Sequence, residues 1–90
     1  PLKLFEYMAS GKAVVTLRAS NIESMFKDGC ELVMTAPGDA AELARKLREL
    51  LQSAELRERL GRAAREATVR RYSWAAHANH LRSLFREIIT

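Results

Sequence analysis

The 90-residue chain is poor in the residues that mark most specialised sites. It has one cysteine, Cys30, so it cannot carry an internal disulfide framework and fits a reducing compartment. In the loop after Gly29, Cys30 reads as a small buried residue rather than a nucleophile. The four glycines are isolated and form no phosphate-cradling loop. His77 and His80 stand three apart without a nearby ligand pair of the kind zinc sites use, so no metal is expected. Ser24, Ser53 and Ser73 have cap or helix roles and no adjacent base. No apolar run approaches the roughly 18 residues of a membrane span, and no charged-then-apolar leader opens the chain. Repeats and low-complexity stretches are absent.

What is present begins at once. Pro1-Leu2-Lys3-Leu4-Phe5-Glu6-Tyr7-Met8-Ala9 reads as a short, mostly apolar helix with Pro1 at its first position. Gly11 is free to take the left-handed conformation that closes it. Ala13–Leu17 is β-branched and unalternating, the pattern of a parallel strand covered on both faces. Ser20 with Glu23 forms a capping box, which predicts a helix over Asn21–Phe26 and leaves Glu23 no other role. A turn at Lys27-Asp28-Gly29 leads to a second strand over Glu31–Met34. The connection, about 13 residues with its own helix, is close to the minimum for a parallel crossover.

From Asp39 onward the pattern is helical. Asp39 and Glu42 form another capping box, ahead of an apolar face at Ala40, Leu43, Ala44, Leu47, Leu50 and Leu51. Ser53 caps a helix with Leu56, Leu60, Ala63, Ala64 and Ala67 inward, in which Gly61 either costs about 1 kcal/mol or admits a close neighbour. Ser73 is expected to cap a last helix with Trp74, His77, Ala78, Leu81, Leu84, Phe85 and Ile88 on one face. Strands first and helices after give an α/β class, with two parallel strands and about five helices.

One carboxylate, Glu6, sits in the otherwise apolar first helix. Its residue type alone fits a solvated surface position. It also fits a ligand acceptor, because two carboxylate oxygens can take both hydrogens of a vicinal diol. The first-turn amides at Leu2, Lys3 and Leu4 make an anion-friendly helix start. The formal charge of +4 comes mostly from arginines between Arg45 and Arg86, which read as a solvated helical face. An anionic membrane surface is the sharper alternative. No aromatic interleaving supports nucleic acid.

The stretch PLKLFEYMASGKAVV resembles the helix-plus-strand signature of the retaining, nucleotide-sugar-dependent glycosyltransferases of the GT-B fold, in the family called group 1. Asn21–Gly29 and Ala36-Pro37-Gly38-Asp39 resemble that family's next two landmarks, in the same order. The resemblance implies that residues 1–90 are the C-terminal part of a Rossmann-like nucleotide-sugar-binding domain, with 1–38 as helix-strand-helix-strand and 39–90 as a helical tail. It implies that Glu6 holds the nucleotide ribose and that the amides of Leu2, Lys3 and Leu4 face the donor diphosphate. Glu6 matches the second of the family's pair of glutamates; the first would precede this chain.

The implied reaction is sugar transfer from a nucleotide diphosphate donor, without a metal or other cofactor, in the cytoplasm or at the inner face of a membrane and in cell-envelope polysaccharide synthesis. The implied partners are that donor and an N-terminal acceptor domain. Without that domain the chain is not expected to catalyse transfer alone. Self-association through an exposed strand edge and peripheral membrane contact are further expectations. The rival reading is a non-enzymatic α/β interaction module with a basic helical surface.

Overall fold

The computed structural model describes residues 2–89. Helix α1 (Leu2–Ala9) is followed by strand β1 (Val15–Leu17), helix α2 (Ser20–Glu23), strand β2 (Val33–Thr35), helix α3 (Ala40–Gln52) and helix α4 (Ala54–Ile89). Pro1, expected at the first helical position, lies outside the described residues. Gly11, at φ 77°, ends α1 as its place in the sequence predicts.

The strands run parallel, with Val15 opposite Val33 and Leu17 opposite Thr35. Both are shorter than predicted: β1 begins at Val15 instead of Ala13, and β2 covers Val33–Thr35 instead of 31–34. The cover expected on both faces of Ala13–Leu17 is met only in part. Val14 packs on one core and Ala13 and Val15 on another, all half-buried, while Leu17 is exposed. The fully covered strand is β2. Leu32 and Met34 enter a core with Leu4, Met8, Ile22, Phe26, Ala64 and Ala67. Val33 points the other way, into a second core with Leu50 and Leu60. Helix α4 contributes to both cores, through Ala64 and Ala67 in the first and Leu60 in the second, and packs on α1 and α3.

Two of the predicted caps hold. Asp39 accepts from the Glu42 N–H at 2.9 Å, and Ser53 accepts from the Leu56 N–H at 3.1 Å. At the corner between α3 and α4, Arg57 donates to the Leu50 and Leu51 carbonyls at 2.6 and 2.9 Å, covering the open end of α3. Ser20 is not a cap. It lies inside α2, Ala19 holds the cap position without a side-chain bond, and Glu23 pairs with Arg18 at 3.3 Å.

Ser73 is not a cap either. Nothing between Gly61 and the chain's end breaks a helix, since neither glycine nor proline occurs there. The two helices expected in that region are therefore one. Leu60, Ala64 and Ala67 are buried as predicted, but Trp74, Leu81, Leu84 and Phe85 are exposed, and the Ile88 side chain lies outside those described. On α3 only Leu50 is buried, whereas Leu43, Leu47 and Leu51 are exposed. Two strands about 4.8 Å apart are narrower than a helix of about 10 Å, so α3 overhangs the sheet.

The crossover is fixed by Asp28. One carboxylate oxygen accepts from the Met34 N–H at 2.8 Å, the other from Arg18 at 2.8 Å. Met34 is buried, and its N–H points away from β1, so Asp28 satisfies the outer edge of β2. Burial pushes the Asp28 carboxyl up, but the Met34 N–H and the Arg18 guanidinium outweigh it and hold it below the usual range. Asp28, then Glu23, raises the Arg18 guanidinium in return.

Candidate functional site

Helix α1 sorts its residues by periodicity. Leu4 and Met8 are buried against α4, and Phe5 meets the Phe26 ring edge-on at 6.0 Å between centroids. With that side committed to the core, Lys3, Glu6 and Tyr7 are left on the opposite, exposed side. The Glu6 carboxylate has no hydrogen-bond or ion-pair partner among the described residues, and neither has the Lys3 ammonium. The two are three positions apart and do not pair.

The four residues singled out in the sequence thus divide. Glu6 and Lys3 offer side chains to solvent. Leu4 gives its side chain to the core, so only its backbone can serve a ligand. The helix begins at Leu2, which leaves the first-turn amides of Leu2, Lys3 and Leu4 without intrahelical acceptors. Positive partial charge at one end and a free carboxylate one turn later can engage an anion and a pair of hydroxyls together. Tyr7 shares the exposed side; its position four after Lys3 already signals this.

The attachment of α1 is firm. The Gly11 turn closes it, and Gly61 of α4 packs directly on that turn. A Cβ at Gly61 would fall 2.9 Å from the Gly11 carbonyl carbon and closer still to its oxygen. Only glycine allows this approach, which settles the choice that the sequence leaves open for Gly61.

Other candidates do not assemble. His77 is exposed and packs edge-on against Trp74 at 6.2 Å, and His80 is exposed on the same half of α4. Cys30 is exposed, contrary to expectation, because the turn from Asp28 to Glu31 lies over the edge of β2 outside both cores. Among the described residues no three His, Cys, Asp or Glu side chains converge as metal ligands. No helix among them is long and apolar enough to cross a membrane.

A family model described as glycosyl transferase-like matches residues 1–83. The chain belongs to the glycosyl transferase-like family. The resemblance carried by the opening motif is borne out. Two curated relatives agree. A sulfoquinovosyl transferase of Arabidopsis thaliana is 38% identical over 85 residues, covering 91% of this chain and 16% of the relative. An alpha-D-kanosaminyltransferase of Streptomyces kanamyceticus is 27% identical over 85 residues, covering 94% of this chain and 22% of the relative. The chain therefore spans less than a quarter of either.

Proposed function

We propose that α1 forms part of the donor site of a longer, retaining GT-B glycosyltransferase. In this reading the Glu6 carboxylate accepts from the two ribose hydroxyls of a nucleotide diphosphate sugar, and the amides at Leu2, Lys3 and Leu4 face the diphosphate. The observation that carries it is the unpartnered carboxylate of Glu6 on the exposed side of a helix whose other side is committed to the core. The Gly61 contact at the closing Gly11 turn holds α1 against α4 and so supports a fixed position for Glu6. Family membership supports sugar transfer.

The nucleotide sugar is the substrate, and neither a metal nor another cofactor is assigned. The exposed leucines of α3 and the open edge of β1 face the remainder of the longer protein, including an acceptor-binding domain, so catalysis is not assigned to these 90 residues alone. The cytoplasm is the compartment this reading takes, because nucleotide sugars are made there.

The test is Glu6→Gln in the longer protein. Glutamine keeps the shape but loses the charge and one acceptor. A charge-assisted hydrogen bond contributes about 1.5–3 kcal/mol, so donor affinity falls roughly ten- to hundredfold. The loss is much smaller for a 2′,3′-dideoxynucleotide, which has no diol. Calorimetric titration of both proteins with both nucleotides checks this. Equal losses for the two nucleotides would remove the ribose role from Glu6.

A further inference from the structure

The two strands end beside the start of α3. Leu17 stands opposite Thr35 in the parallel register, and both lie two residues beyond the Val15–Val33 pair. Their side chains therefore share the side of the sheet on which Leu50 of α3 meets Val33. On that side Leu17, Thr35, Ala36, Asp39, Ala40 and Leu43 border a hollow of about 240 Å³. Thr35 is 1% exposed, and its hydroxyl oxygen has no hydrogen-bond partner. Thr68, the other buried threonine among the described residues, donates to the Ala64 and Arg65 carbonyls at 3.2 and 2.9 Å. Native chains rarely leave a buried hydroxyl without a partner.

More unmet polar groups lie at the same place. The Ala40 and Ala41 N–H groups open the 13-residue helix α3 and have no acceptor among the described residues. The Asp39 side chain serves the Glu42 N–H, and the Asp39 carbonyl serves Leu43. The second carboxylate oxygen of Asp39 has no partner among the described residues. Donors, an acceptor and a hydroxyl thus border apolar walls at Leu17, Ala36 and Leu43. An apolar segment of the longer protein would leave every one of them unmet. An anion would meet the Asp39 carboxylate. A sugar ring answers all of them: its hydroxyls donate and accept, and its C–H face suits the leucines.

The position favours a ligand too. Short loops join α1 to β1 and β2 to α3, and both helices pack back on the sheet. The starts of α1 and α3 therefore lie at one end of the sheet, with the carboxyl ends of both strands. In open parallel α/β sheets that end is where ligands bind. We propose that this hollow is a sugar subsite. Thr35 shares a hydrogen bond with one ring hydroxyl, Asp39 accepts from another, and the first amides of α3 donate to ring oxygens. The ring belongs to the donor or to the acceptor, whose hydroxyls have the same chemistry. The proposal rests on the reading of α1 as part of a donor site, to which it adds residues outside α1.

The test uses the longer protein with uridine diphosphate, UDP-glucose and methyl glucoside as probes. Thr35→Val keeps the branched shape without the hydroxyl. Asp39→Asn keeps a cap acceptor but turns the free oxygen into a donor. By calorimetry each variant binds uridine diphosphate as the parent does. Binding of UDP-glucose, for a donor ring, or of methyl glucoside, for an acceptor ring, falls roughly two- to tenfold in Thr35→Val and ten- to hundredfold in Asp39→Asn. Glu6→Gln instead weakens uridine diphosphate and UDP-glucose alike, so the two readings fail separately. Without ligand, Thr35→Val melts at or above the parent temperature, because it removes an orphaned hydroxyl. Three results would overturn the proposal. The first is unchanged binding of both sugar probes by both variants, or an equal loss for uridine diphosphate. The second is a parent protein that binds neither sugar probe. The third is a lowered melting temperature for unliganded Thr35→Val, which would show a residue of the longer protein holding that hydroxyl.

Discussion

Gly61 shows how one missing methyl group can decide where a helix lies. By propensity alone Gly61→Ala should stabilise α4 by about 1 kcal/mol. The added Cβ, however, meets the Gly11 carbonyl, a backbone group that cannot rotate aside. Overpacking of this kind costs about 1–3 kcal/mol, and displacing α4 would also open the contacts of Leu60 and Ala64. The clash outweighs the propensity gain. Gly61→Ala should therefore lower stability by up to about 2 kcal/mol in urea unfolding, and Gly61→Val by more. A stabilised alanine variant would show that the helix does not approach the Gly11 turn as described. The sequence raised the close neighbour as one of two options but could not name Gly11, because the contact joins residues far apart in the chain.

Among the elements, the crossover from β1 to β2 was readable in outline and wrong in its fastening. The turn at Asp28-Gly29 and the parallel pairing follow from local signals. The ion pairs of Arg18 and the Asp28–Met34 bond do not, since nothing local distinguishes Asp28 from any turn aspartate. The same limit explains α2, where Ser20 and Glu23 have capping-box spacing but Arg18 takes Glu23 instead. Helix bounds were legible where glycine or a cap supplied them, the end of α1 at Gly11 and the start of α3 at Asp39. Ser73 misled because a serine preceding an apolar face is also an ordinary helix residue.

The fastening has a pH signature. In the folded chain the Asp28 carboxyl lies below its usual value, so the unfolded chain takes up the proton more readily. The stability it contributes is fully present above about pH 4 and is lost as pH falls through the lowered value. Asp28→Asn keeps an acceptor for the Met34 N–H but removes the charge, and should flatten that part of the stability–pH curve. Asp28→Ala also leaves the buried Met34 N–H unsatisfied, at about 1–3 kcal/mol at neutral pH. Urea midpoints of the three proteins between pH 7 and the acid limit check both statements. An asparagine variant with an unaltered acid slope would place the titration elsewhere.

At the scale of the molecule, the helix that carries the candidate Glu6 was legible in the sequence because the residues involved are adjacent and their spacing is helical. The sequence did not reveal which apolar faces would stay open, because facing partners come from outside any local window. The result is a body 57 Å long on its major axis, close to the about 54 Å of a straight 36-residue helix. Packing ends near Arg71, which donates to the Met25 carbonyl at 2.9 Å; from Tyr72 to Glu87 no described side chain is buried. Helix α4 is therefore held for its first half and stands alone for its second. An isolated helix of about 15 residues is marginal in water, since nucleation is costly and few interactions repay it. Continuity with the packed half removes the nucleation cost but adds no burial. Amide exchange should therefore fall into two tiers. The amides of β2 and of residues 60–68 should exchange only through global unfolding, and those of residues 72–87 through local fraying with much lower protection. Ending the chain after Arg71 should accordingly leave the melting temperature within a few degrees of the intact protein, because both cores remain complete. Mass-spectrometric exchange on the dilute chain, followed by melting of the shortened one, tests this. Equal protection along all of α4, or a collapse of stability on shortening, would mean that the exposed second half is already covered in solution.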